Sequence, residues 1–154
     1  MNIAVIGCGY VGLVTGACFA HLGNRVGCVD IDGKKIALLK KGRLPIYEPG
    51  LEELVLEAVK EKRLSFTTDL KRACADADIV FIAVGTPPRP NGDADLSFVE
   101  NVVRTIARHV RGYKLIVEKS TVPVETGEWI KRTLTRAAKK GAMLEVASNP
   151  EFLR

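Results

Sequence analysis

The opening segment constrains this chain more than any other. Asn2-Ile3-Ala4-Val5-Ile6 has the composition of a strand and runs directly into Gly7-Cys8-Gly9-Tyr10-Val11-Gly12. Behind it Leu13, Val14, Ala17, Cys18, Ala20, His21 and Leu22 fall at helical spacing. A second apolar run, Arg25-Val26-Gly27-Cys28-Val29, ends on Asp30. Glycine-rich turns are common, and the G-x-G-x-x-G pattern alone says little. Set between a strand and a helix, with an acid closing the next strand, it matches the dinucleotide-binding fingerprint.

Each position has a physical task. Gly7 makes the tight turn off the strand, and Gly9 lets backbone approach a pyrophosphate with no Cβ between. Gly12 permits close helix–strand packing, which Gly16 extends by one turn. The free N–H groups and positive dipole end of the helix then face the phosphates. Asp30 is placed to accept hydrogen bonds from the adenosine ribose, and its charge opposes a 2′-phosphate, so NAD is expected over NADP. The competing reading is a glycine-rich strand–helix turn that binds nothing.

Composition excludes several classes. A chain of 154 residues, 47% hydrophobic with a mean hydropathy of +0.09, has the size and balance of one globular domain. Residues 1–20 carry no charged side chain, but no basic region precedes the apolar stretch as a signal peptide requires. Glycines at fingerprint spacing also argue against a membrane span. The expected setting is cytoplasmic, with no membrane partner. The net charge of +5 sits largely in Lys34, Lys35, Lys40, Lys41 and Arg43, and in Lys131, Arg132, Arg136, Lys139 and Lys140. The second group alternates with Ile130, Leu134, Ala137 and Ala138 as a solvated helix face does. No interleaved aromatics point to nucleic acid. Cys8, Cys18, Cys28 and Cys74 show no C-x-x-C pairing, so no disulfide, zinc or redox role is expected. His21 and His109 read as structural, and no metal site is expected.

Strand-like runs near 2–6, 26–30, 64–67, 78–83, 114–118 and 144–148 alternate with helical patterns near 11–22, 33–41, 50–61, 69–75, 98–110 and 125–140. That alternation predicts an α/β fold, a doubly wound parallel six-stranded sheet of the Rossmann type in the order 3-2-1-4-5-6. Asp32 and Asp69 are expected helix caps, and Ser97 with Glu100 an S-x-x-E capping box. A ligand is expected over the carboxyl ends of the strands, where three loops hold the unusual residues: Gly85 to Gly92, Ser120 to Pro123, and Ser148 to Glu151.

Those loops carry a resemblance. GCGYVGLVTG at 7–16, VDID at 29–32, PIYEPGLEEL at 45–54, FIAVGTPP at 81–88, GDADLS at 92–97, KSTVPV at 119–124 and SNPEFLR at 148–154 stand in one order along the whole chain. Together they resemble the N-terminal NAD-binding domain of the UDP-glucose/GDP-mannose dehydrogenases. The resemblance implies oxidation of a nucleotide sugar at C6, from alcohol to carboxylate, using two NAD, with UDP-glucose as substrate and UDP-glucuronate as product. It implies that Gly7, Gly9, Tyr10, Val11 and Gly12 surround the pyrophosphate and that Asp30 and Lys35 bind the adenosine ribose. Gly85, Thr86 and Pro87 pass beneath the dinucleotide, and Ser120 and Thr121 lie near its nicotinamide end. Thr121 also helps hold a catalytic water or substrate hydroxyl, and Glu151 has acid/base duty. With Glu151, Phe152, Leu153 and Arg154 line the sugar-nucleotide site. Full-length members of the family form homo-oligomers.

Plainer readings stand beside these. Thr86 and Pro87 also suit a strand-exit turn, Ser120 and Thr121 suit caps of the following helix, and Glu151 suits a surface acid. The 45–49 segment reads as a helix lead-in with no site assigned. Glu125 departs from the family's more frequent glycine. The chain ends at Arg154, before the family's nucleophilic cysteine, so residues 1–154 read as the NAD-binding domain without the catalytic domain. This chain alone is expected to bind NAD without completing catalysis. The alternatives are a stand-alone NAD-binding or sensing module and a different dehydrogenase of the same fold, such as one acting on hydroxyacyl substrates.

Overall fold

The computed structural model describes residues 1–123 and 125–151. Its strands are β1 (Asn2–Ile6), β2 (Arg25–Val29), β3 (Leu64–Thr67), β4 (Ile79–Ile82), β5 (Gly112–Glu118) and β6 (Ala142–Ser148). Its helices are α1 (Tyr10–His21), α2 (Gly33–Leu39), α3 (Leu51–Lys60), α4 (Leu70–Asp76), α5 (Ser97–His109) and α6 (Thr126–Ala137). All strand pairs are parallel, and the order is β3-β2-β1-β4-β5-β6, as the alternation predicts. The order reverses between β1 and β4, which opens a crevice at their carboxyl ends.

The period of two along each strand divides the apolar residues between two cores. Ile3 and Val5 meet Leu13, Ala17 and Ala20 of α1 and Val55 of α3 on one face. Ala4 and Ile6 share the other face with Val99, Val103 and Ile106 of α5 and with Ile130 and Leu134 of α6. Burial of each such large side chain contributes about 1.5–3 kcal/mol. Gly16 lets α1 lie close on β2, since a Cβ there would stand 2.5 Å from the Cys28 sulfur.

Two of the three expected caps form. Asp32 accepts from the backbone N–H groups of Lys34 and Lys35 at 2.8 and 3.2 Å, and Asp69 accepts from Arg72 N–H at 3.0 Å. The Ser97–Glu100 capping box does not form. Ser97 is already helical, and its N–H donates to Asp95 at 3.0 Å, while Glu100 turns to Arg104 at 2.7 Å. Nor do Ser120 and Thr121 cap the next helix, because α6 begins five residues later with Glu125 at its N-cap.

Glu125 adopts φ 75° and ψ −5°, the left-handed region. A side chain there costs about 1–2 kcal/mol, part of which a carboxylate beside the helix dipole returns. Glu125→Gly is expected to stabilise the fold by about 0.5–1 kcal/mol and raise the melting temperature by roughly 2–3 °C. Thermal unfolding followed by circular dichroism checks this, and an unchanged or lower midpoint contradicts it.

Candidate functional site

The site is built at the carboxyl ends of the strands, beginning with the β1–α1 turn. Gly7 has φ 104° and donates its N–H to Val29 O at 2.7 Å, tying the turn to the end of β2. A Cβ on Gly12 would run into the carbonyl oxygen of Gly7. Gly9 is the N-cap of α1 and has nothing within 4 Å of where its Cβ would stand. No side chain caps α1 and no acid lies in its first turn. Uncapped backbone N–H groups at a helix N-terminus and open space above Gly9 are what a pyrophosphate requires.

Asp30 closes this end. Its Oδ2 accepts from Cys8 N–H at 2.9 Å and from Lys35 Nζ at 2.8 Å, and its Oδ1 accepts from Asp32 N–H at 2.9 Å. Burial pushes the carboxyl upward, but the Lys35 ammonium and the N–H groups of Asp32 and Cys8 together hold it below the ordinary aspartate range. Asp30 therefore stays ionised, fixing the glycine turn and still standing at its rim. Ile31 beside it is 91% exposed, an apolar surface next to this carboxylate.

The opposite end joins the exits of β4, β5 and β6. Gly85, Thr86 and Pro87 leave β4, and Thr86 Oγ1 donates to Thr121 O at 2.9 Å. The 87–97 loop holds itself through Arg89 on Asp95 at 3.1 Å, which accounts structurally for the GDADLS segment. Thr121 Oγ1 donates to Glu151 O at 3.3 Å, and Lys119 Nζ pairs with the Glu151 carboxylate at 2.7 Å and reaches Asn149 Oδ1 at 3.3 Å. Thr121 and Glu151, thirty residues apart in sequence, are thus neighbours. Ser120 is buried, with its hydroxyl on Ile82 O at 3.3 Å.

Tyr10 points across the turn and donates its phenol hydrogen to Glu48. That bond, with smaller contributions from burial and from the charges of Glu48 and Glu151, holds the phenol above its ordinary range. The 45–50 segment therefore belongs to the rim of the site. Glu48, Lys119 and the buried Glu118 escape sequence reasoning; Glu48 and Lys119 act on residues far away in sequence, and the burial of Glu118 is set by the elements packed around it. Phe152, Leu153 and Arg154 lie outside the described residues. No group of histidine, cysteine and acidic side chains among the described residues is arranged to hold a metal ion, and no described helix is long and apolar enough to cross a membrane. Cys8, Cys28 and Cys74 are buried in the fold, and Cys18 is exposed on α1.

Comparison with known proteins agrees with this geometry. Residues 1–154 match the model of the UDP-glucose/GDP-mannose dehydrogenase family, NAD binding domain. The chain is 54% identical over 153 residues to UDP-glucose 6-dehydrogenase TuaD of Bacillus subtilis, covering 99% of this chain and 33% of that protein. It is 54% identical over 155 residues to a UDP-glucose 6-dehydrogenase of Rhizobium meliloti, covering 100% of this chain and 35% of the other. Among solved structures, a ternary complex of GDP-mannose dehydrogenase from Pseudomonas aeruginosa superposes with a TM-score of 0.93 at 41% identity, over 100% of this chain and 37% of that one. A UDP-glucose dehydrogenase from the archaeon Pyrobaculum islandicum gives 0.92 at 46% identity, over 99% and 36%. The chain spans about a third of the length of the curated relatives it matches.

Proposed function

We propose a function from one premise: this chain belongs to the UDP-glucose/GDP-mannose dehydrogenase family and forms its NAD-binding domain. On that premise it supplies the cofactor half of a dehydrogenase that oxidises UDP-glucose at C6 to UDP-glucuronate. The observation that carries this reading is the joining of two ends in one crevice, an uncapped glycine turn with Asp30 on one side and Thr121, Lys119 and Glu151 on the other. When bound, NAD is the hydride acceptor. Gly7, Gly9, Tyr10, Val11 and Gly12 hold its pyrophosphate through backbone N–H groups, and Asp30 and Lys35 hold the adenosine ribose. Gly85, Thr86 and Pro87 form the floor. Ser120 shapes the turn that brings Thr121 to the nicotinamide end.

Lys119 holds the Glu151 carboxylate at 2.7 Å where the β5 and β6 exits meet, beside Thr121, and Glu151 is proposed to move a proton at the substrate hydroxyl. The sugar nucleotide is assigned to UDP-glucose by the names of the relatives, and Phe152, Leu153 and Arg154 are proposed to line its site. Oxidation beyond the aldehyde calls for a thiol nucleophile. The buried Cys8 and Cys28 are turned into the fold beneath the glycine turn and cannot serve.

Calorimetric titration tests the cofactor assignment. NAD is expected to bind at least about tenfold more tightly than NADP, because the ionised Asp30 opposes an added phosphate. Equal affinities sink it. Mixing the chain with UDP-glucose and NAD is expected to give no sustained rise in the reduced-nicotinamide absorbance; steady turnover contradicts the proposal that the nucleophile lies outside these residues.

A further inference from the structure

One titratable group at the crevice has no part in the proposed chemistry. Glu118 is the last residue of β5, and its side chain is 1% exposed. Strand register sets it between Ile82 of β4 and Ser148 of β6, on the face that carries α6. Its Oε1 accepts from Ser120 N–H at 2.7 Å, while its Oε2 is buried and has no partner among the described residues. A buried carboxylate oxygen with no donor is rare in folded proteins, because it forfeits hydration without recompense.

The consequences run outward. Ser120 N–H and the Ser120 hydroxyl both also meet Ile82 O, at 3.1 and 3.3 Å, which binds the β5 exit to β4. The next residue, Thr121, takes Thr86 on its carbonyl and gives its hydroxyl to Glu151 O. The backbone carbonyl of Glu118 itself accepts from Asn149 N–H at 2.8 Å. One residue therefore ties together three strand exits from beneath.

We propose that Glu118 is a positioning residue of the NAD site, whose buried carboxyl fixes the Ser120–Thr121 turn against the exits of β4 and β6. The inference rests on the reading of this crevice as the NAD site. Burial pushes the carboxyl up to about 7, against an opposing contribution from its hydrogen bonding with Ser120. Among the described residues no cation is paired with it. Lys119 points to Glu151, and Lys114, on the same face of β5, is buried against the carbonyls of Ala75 and Ala77. On α6 the nearby charges Glu125, Glu128 and Lys131 line a cleft of about 240 Å³ with Ser148 and Val146. On α5 Glu100 is paired with Arg104, and Glu145 of β6 lies on the opposite face of the sheet. Above the carboxyl's midpoint a bare charge enters this apolar layer, and water or a shift of the turn must answer it.

The test uses the 154-residue chain and two readouts. In amide-resolved NMR between pH 5.5 and 8.5, the Ser120 and Thr121 amides of the wild type are expected to titrate together near pH 7, and in Glu118→Gln to stay flat. By calorimetry, wild-type NAD affinity is expected to fall by about threefold to tenfold from pH 6 to pH 8, an effect absent from Glu118→Gln, which retains the neutral acceptor. Glu118→Ala, without an acceptor, is expected to bind more weakly at every pH. Silent Ser120 and Thr121 amides, or parallel affinity profiles in wild type and Glu118→Gln, overturn the proposal. Should NAD not bind at any pH, the cofactor reading fails, and the amide titration alone decides whether Glu118 governs the turn.

Discussion

Alanine at Gly12 is expected to abolish measurable NAD binding and to lower stability by about 3 kcal/mol or more. The added Cβ would overlap the carbonyl oxygen of Gly7, stand 3.0 Å from its carbonyl carbon and touch Ala83 Cβ at 3.4 Å. Two of those three atoms are backbone, and Gly7 is already held at φ 104° with its N–H on Val29 O. Relief must come from α1 lifting off the sheet, which opens the layer around Leu13, Ala17 and Ala20, all fully buried. Lifting the helix also moves the N–H groups proposed to face the pyrophosphate. Gly9→Ala separates the two effects. Its φ of −77° suits any residue and nothing crowds its Cβ, so the fold is expected to be unchanged while NAD affinity falls by about tenfold or more. Denaturant unfolding and calorimetry on both variants check this. A Gly9→Ala variant with undiminished affinity means that the pyrophosphate does not cross the turn at Gly9.

The sheet was legible because its signals are local. Short apolar runs, two aspartate caps and a glycine turn each act within a few residues, and parallel order follows from their alternation. The geometry of the candidate site was legible only where it coincides with such signals, as at Gly7, Gly12 and Asp30. Glu118, Lys119 and Glu48 were not. Lys119 matters through Glu151, 32 positions on, and Glu48 through Tyr10, 38 positions back, distances over which sequence carries no periodicity. Glu118 looks like a polar interruption at a strand end, and only the packing of β4, β6 and α6 around it shows that it is buried. The capping box failed for a related reason. Ser97 and Glu100 have the right spacing, but Asp95, already held by Arg89, takes the Ser97 N–H and shifts the helix start by one residue.

Asp30→Ala is expected to weaken NAD binding by about 10- to 100-fold and to bring the NAD-to-NADP affinity ratio toward one. Two losses combine. Hydrogen bonds from ribose hydroxyls to a charged acceptor disappear, and the Cys8 N–H loses the carboxylate that holds the glycine turn, 2.9 Å away. For NADP the balance differs, because the variant removes a repelling charge and frees Lys35, now paired with Asp30 at 2.8 Å, to meet the added phosphate. NADP affinity is therefore expected to fall less than NAD affinity, or to rise. The pH dependence supplies a second mark. The Asp30 carboxyl is held below its ordinary range in the fold, so its contribution to stability is present above the unfolded aspartate value near 4 and is lost as pH falls through the depressed one. Wild type and variant should thus differ in melting temperature at neutral pH and converge in strong acid. Titration with both nucleotides and thermal unfolding across that range read the two marks separately. An unchanged nucleotide ratio removes Asp30 from the ribose, whereas a constant stability gap at low pH removes only its electrostatic hold on the turn.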